Sequence, residues 1–118
     1  VYSFLDNHGG KMVRLFDAGS YVTLCRTMLS HDVGRDRGGV VEALKAVTAR
    51  TLVVAVDSDR LFFPEQVWQM AAGISGAFYR EIHSDHGHDG FLIEHDQLTA
   101  LLDEFLNERI PSRASSFA

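Results

Sequence analysis

Thr51-Leu-Val-Val-Ala-Val56 is an unbroken apolar run rich in β-branched residues, followed at once by the polar stretch Asp57-Ser-Asp-Arg60. The run is too short for a buried helix and suits a strand covered on both faces, as strands of a parallel sheet are. After the polar loop, Pro64 fits the first position of a helix and Glu65 complements its positive end. Val67, Met70, Ala71 and Ile74 give that helix an apolar stripe, and Gly73 and Gly76 close it. A second strand is expected from Ala77 to Ile82, leading into the loop His83-Ser-Asp-His-Gly-His-Asp-Gly90. The last helix is expected to begin near Asp96 as N-cap and to carry Leu98, Leu101, Leu102, Phe105 and Leu106 on one face until Pro111 stops it.

Upstream of the first strand, Val40 to Val47 reads as a short helix. The preceding stretch, His31-Asp-Val-Gly-Arg-Asp-Arg-Gly-Gly39, reads as a loop whose backbone takes unusual angles or approaches another segment closely. From Lys11 to Leu29 the apolar residues fall at helical spacing, which predicts two amphipathic helices broken at Gly19 and Ser20. The order helix, strand, helix, strand, helix implies two parallel strands and the α/β class. A parallel sheet covered on both faces needs more than two strands, so the sequence reads as one end of a larger sheet.

Composition narrows the function. The chain has 118 residues, 46% of them hydrophobic and 23% charged, which suits a folded domain rather than a disordered tail. With 11 Lys and Arg against 16 Asp and Glu the net charge is -5, so neither nucleic acid nor an anionic membrane is an expected partner. No apolar stretch approaches the roughly 20 residues of a membrane-spanning helix, and the start at Val1 has no signal-peptide pattern. One cysteine, Cys25, rules out an internal disulfide and suits a reducing, cytoplasmic setting; on the apolar stripe of a helix it is expected to be a packed thiol.

In parallel α/β sheets the chemistry gathers in the loops beyond the carboxyl ends of the strands. Asp59 lies just past the first strand and His88 just past the second. With adjacent strands about 4.8 Å apart, a carboxylate and an imidazole there come within hydrogen-bonding reach. That pair is the acid-and-base part of a nucleophilic triad, in which the carboxylate orients the imidazole and the imidazole takes the nucleophile's proton. Asp57 is a rival for the acid, two residues earlier. A solvated turn is the plainer reading of either Asp and an exposed loop position that of His88. His83, His86, His88, Asp85 and Asp89 invite a metal reading, but their spacing completes no metal motif and no metal is expected. Gly34, Gly38 and Gly39 match neither a dinucleotide fingerprint nor a phosphate loop, and Trp68 with the phenylalanines suits core or interface positions.

The segments His31-Asp-Val-Gly-Arg35, Thr51-Leu-Val-Val-Ala-Val-Asp-Ser-Asp-Arg-Leu-Phe62 and Gly87-His-Asp-Gly-Phe-Leu92 together resemble the C-terminal part of homoserine O-acetyltransferases, acyltransferases of the α/β-hydrolase fold. The resemblance runs from about Phe4 to Asn107. It implies that Asp59 is the triad acid with Asp57 supporting it, that His88 is the general base, and that Asp89 helps bind the ammonium group of the amino acid substrate. It implies a reaction in which a serine takes an acetyl group from acetyl-CoA and passes it to the hydroxyl of L-homoserine, in methionine synthesis, with no bound cofactor and in a homodimer. Residues 1–39 then correspond to the end of a helical lid and a Gly-rich loop, 40–110 to the C-terminal part of the hydrolase core, and 111–118 to a tail. Phe63 stands where the family's Leu-Phe-Pro-Pro run has proline, and His86 where tyrosine is frequent. No Gly-x-Ser-x-Gly turn occurs, so the nucleophile and oxyanion donors are expected from an N-terminal half outside this sequence. The readings left open are a related acyltransferase using serine or succinyl-CoA, and a non-catalytic interaction module.

Overall fold

A computed structural model describes residues 2–108, which divide between Val33 and Gly34 into two units. The first holds helices α1 (Tyr2–Leu15) and α2 (Ala18–Leu29). Their boundary is set by Asp17, which sits in extended backbone and caps α2: its carboxylate accepts the Ser20 N–H at 2.9 Å and the Ser20 hydroxyl at 2.6 Å. An N-cap aspartate satisfies a donor that the first helical turn leaves free. The break expected at Gly19 and Ser20 is therefore displaced to Phe16 and Asp17, and those two residues lie inside the first turn of α2. The helix expected from Lys11 begins instead at Tyr2, running through Gly9 and Gly10; Phe4 and His8, one turn apart, stack with ring centres 4.2 Å apart. No residue of either helix is buried.

The second unit is built on a two-stranded parallel sheet, β1 (Leu52–Val56) and β2 (Phe78–Ile82), paired from Leu52 opposite Phe78 to Val56 opposite Ile82. The ladder continues one bond past each end, from the Phe78 N–H to the Thr51 carbonyl and from the Asp57 N–H to the Ile82 carbonyl. Both strands thus fall within one residue of their expected limits, and the α/β class holds. Helix α3 (Val40–Lys45) precedes β1, and α4 (Pro64–Gly73) connects the strands with Pro64 at its first position. The core gathers Ala43 from α3, Val53, Ala55 and Val56 from β1, Ala71 from α4, and Ile74, Ala77, Phe78 and Ile82 around β2. Met70, expected on the buried stripe of α4, is 44% exposed; Ala71 and Ile74 carry the contact instead.

After β2 the chain is more ordered than the loop expected there. A 3-10 turn (Gly87–Asp89) runs into α5 (Gly90–Ile93), and α6 (His95–Leu106) follows. Helix α6 has Glu94, not Asp96, at its cap position, without a side-chain cap bond, and Asp96 lies in its first turn. Leu98, Leu101 and Phe105 are half-buried while Leu102 and Leu106 are exposed. The Phe105 ring meets Phe78 edge-on at 5.8 Å, and the Arg50 guanidinium stacks on both rings while donating to the Phe105 carbonyl. That clamp fastens α6 to β2. The expected stop at Pro111 and the tail lie outside the described residues. No helix among the described residues is long and apolar enough to cross a membrane.

Two glycines are required by close approach. At Gly34, in the loop before α3, a Cβ would sit 2.4 Å from the Val40 backbone nitrogen, which fulfils the expectation of tight packing in that Gly-rich stretch. At Gly90, a Cβ would sit 2.7 Å from Val56 Cγ1 and 2.8 Å from Ser84 Cβ, where the backbone after His88 closes onto β1. Gly90→Ala is expected to destabilise the chain by about 1–3 kcal/mol through overpacking. A fall in the urea midpoint at unchanged slope would measure it, and an unchanged midpoint would contradict the close packing of Gly90 against Val56 and Ser84.

Candidate active site

The ends of β1 and β2 place residues 57–59 beside residues 83–88, because adjacent parallel strands finish at the same edge. Asp59 is 5% exposed. Its N–H closes a turn onto the Val56 carbonyl, and its Oδ1 accepts the Leu61 N–H at 2.7 Å and the Phe62 N–H at 3.0 Å. The second oxygen, Oδ2, lies 2.8 Å from His88 Nδ1. An ionised carboxylate only accepts, so this contact assigns the Nδ1 proton to His88 and leaves Nε2 as the nitrogen available for proton transfer. The rings of Phe62 and Phe91 each pack against the imidazole in edge-to-face fashion, with ring centres 5.0 and 5.6 Å away.

Burial pushes the Asp59 carboxyl up. The hydrogen bonds from His88, Phe62 and Leu61 together outweigh that push and hold it below the usual carboxylate range. The acid is thus kept ionised although little water reaches it.

Asp57, the rival acid, makes a second pair with a different histidine. Its Oδ2 lies 2.6 Å from His83 Nδ1 and its Oδ1 accepts the Ser84 N–H at 3.0 Å. The two aspartates therefore divide the loop between them, and only Asp59 reaches His88. The bond from His83 pulls the Asp57 carboxyl below its ordinary value of 3.8, and the same bond raises the His83 imidazole above 6.5. The side chain of His83 is largely solvent-exposed, which keeps this pair's contribution to stability small. Gln97 of α6 also meets His83, accepting its N–H at 2.9 Å and donating to its carbonyl at 2.7 Å.

Asp89 is exposed where the 3-10 turn joins α5, with no hydrogen-bond partner for its carboxylate among the described residues. Asp85 and His86 are exposed too; among the described residues no three His, Cys, Asp or Glu side chains converge as a metal ion would require. Cys25 is half-buried on α2. Trp68 is half-buried and lines a groove of about 540 Å³ with Asp57, Pro64, Glu65, Gln69 and Glu81, beside the Asp57 pair rather than at His88. Sequence reasoning missed Ser58, whose hydroxyl bonds the Ser84 carbonyl and the Gly87 N–H, and it missed Gln97. Neither residue type carries a spacing signal: Ser58 bonds to loop backbone, and Gln97 bonds the His83 backbone while also donating to Glu94 Oε2 at 3.2 Å.

No protein-family model matches the chain. Among curated proteins it is similar to homoserine O-acetyltransferases: 53% identical over 107 residues to that of Thermobifida fusca, 50% over 111 residues to that of Clavibacter michiganensis, and 52% over 105 residues to that of Thermus thermophilus. These matches cover 90%, 91% and 88% of this chain but 28%, 28% and 27% of the relatives. The chain thus spans little more than a quarter of the length of the relatives it matches. The resemblance seen in three short segments extends over nine-tenths of the chain.

The Asp57–His83 pair sets a pH window. The lowered Asp57 value gives stability that is present above 3.8 and lost as pH falls through the folded value, while the raised His83 value gives stability that is full below 6.5 and lost as pH rises through the folded value. The pair therefore contributes most between those two pH values. In an NMR titration His83 is expected to titrate above 6.5, and Asp57→Asn is expected to return it toward that value. A His83 titration indifferent to Asp57→Asn would refute the pairing.

Proposed function

We propose that the chain is the C-terminal, acid- and base-bearing part of a homoserine O-acetyltransferase, and that its two strands form one end of the parallel sheet of an α/β-hydrolase fold. The observation that carries this reading is the 2.8 Å contact between the nearly buried Asp59 carboxylate and His88 Nδ1 at the carboxyl edge of the sheet. The identity of about half of the aligned residues to proteins of that name supports it.

In the proposed reaction a serine from outside this chain is the nucleophile. His88 Nε2 takes the serine proton as the oxygen attacks the thioester carbonyl of acetyl-CoA, and Asp59 stabilises the imidazolium that forms. The C–S bond breaks and the proton passes from His88 to the departing CoA sulfur, leaving an acetylated serine. The hydroxyl of L-homoserine then gives its proton to His88 and attacks the acetyl carbonyl. As the serine oxygen leaves, it regains the proton, and O-acetylhomoserine is released. Asp89, exposed one residue beyond the base with its carboxylate unengaged among the described residues, is placed in this reading as a partner for the substrate ammonium. The longer protein is read as a homodimer, with residues 1–39 contributing to its lid.

The test uses the protein translated from the whole reading frame around this chain. It is expected to transfer acetyl from acetyl-CoA to L-homoserine, and His88→Ala or Asp59→Asn is expected to lower kcat by about a thousandfold to ten-thousandfold. The 118-residue chain alone is expected to be inactive. A His88→Ala protein of undiminished activity would overturn the assignment of the base, and full activity in the chain alone would overturn the need for an outside serine.

A further inference from the structure

The loop that carries His88 is tied to the end of β1 at three successive residues. Asp57 takes His83 and the Ser84 N–H, Asp59 takes His88, and Ser58 between them takes the middle of the loop. The half-buried Ser58 hydroxyl donates to the Ser84 carbonyl and accepts the Gly87 N–H at 3.0 Å, so its donor and an acceptor lone pair are both spent on one segment. Gly87 stands immediately before His88 with a φ of 59°, in the left-handed region, and its carbonyl receives the Gly90 N–H. The residue that aims the imidazole is therefore held at its N–H by a side chain and at its carbonyl by backbone. Because glycine has no side chain to restrict it, the left-handed turn depends on those two bonds to stay in one conformation.

We infer that Ser58 is a positioning residue whose hydroxyl fixes the turn at Gly87 and so sets where the His88 imidazole meets Asp59. Its relevance to catalysis rests on the proposed role of His88, but the geometry does not. The neighbouring bonds to Asp57 and Asp59 hold the ends of the segment, residues 83–84 and 88; between them the Ser84 hydroxyl accepts the His86 N–H at 3.1 Å, and Ser58 is the residue of β1's end that ties the turn itself, at the Ser84 carbonyl and the Gly87 N–H. A serine that merely filled space would tolerate alanine, whereas one that supplies both bonds would leave the Ser84 carbonyl and the Gly87 N–H without that partner.

The test is amide hydrogen exchange and imidazole nitrogen NMR on the ¹⁵N-labelled chain, compared with Ser58→Ala and Ser58→Thr. In the parent chain the Gly87 amide is expected to exchange slowly for a loop position. Ser58→Ala is expected to speed it about tenfold and to shift the His88 Nδ1 signal, with the Phe78 amide of β2 unaffected, and Ser58→Thr to restore both. Free exchange of Gly87 in the parent chain overturns the inference, as does a Ser58→Ala spectrum unchanged at Gly87 and His88. Loss of protection at Phe78 in Ser58→Ala would make Ser58 a residue of general stability, and it too overturns the inference, as does failure of Ser58→Thr to restore the signals. None of these readouts requires acyl transfer, so a protein without that activity would leave the assignment of Ser58 standing.

Discussion

The parallel pairing of β1 with β2 is the constraint on which the rest of the unit depends. Its register, Val56 opposite Ile82, decides that the residues following each strand emerge side by side. One further ladder bond, from the Asp57 N–H to the Ile82 carbonyl, carries the alignment into the loops before the backbone diverges. Every polar contact of the site follows from that starting point. A slip of one residue would turn the buried Val53 and Ala55 to the opposite face and separate Asp59 from His88 at the same time, so core and site are specified together.

Within this arrangement Asp59 balances two opposed effects. Burial disfavours the charge, and three donors restore it. Two of the donors are backbone N–H groups of the turn that the aspartate itself nucleates, which makes the acid's orientation a local property of residues 59–62. The imidazole is oriented differently: its place depends on a loop of another strand and on the rings of Phe62 and Phe91. A carboxylate fixed by its own turn and a base delivered by a remote loop divide the task of building the pair.

The sequence made the strands legible, because continuous β-branched runs bounded by polar loops admit few other readings, and with the strands came the meeting of Asp59 and His88. It made α4 legible through Pro64 at its first position and Gly76 beyond its end, whose φ of 71° is a local backbone limit. It did not reveal the start of α1, since Gly9 and Gly10 argue against a helix that nevertheless runs through them. The cap at Asp17 was hidden by the adjacent Gly19 and Ser20, which look like a break and are in fact the turn that the cap serves. The choice between Asp57 and Asp59 could not be made by spacing alone, for both find a histidine. Only the fold assigns His83 to one and His88 to the other. Ser58 and Gln97 bond to backbone, and backbone positions in a loop are set by tertiary contacts that no residue pattern encodes.

Asp57, Ser58 and Asp59 engage residues 83–84, 84 with 87, and 88, in the same order along the chain. The lacing measures the length of the loop residue by residue. An insertion or deletion anywhere between His83 and His88 would put at least one of these partners out of reach. Change within this stretch is thereby confined to the exchange of side chains, and most freely to Asp85 and His86, which face solvent and which none of the three residues holds.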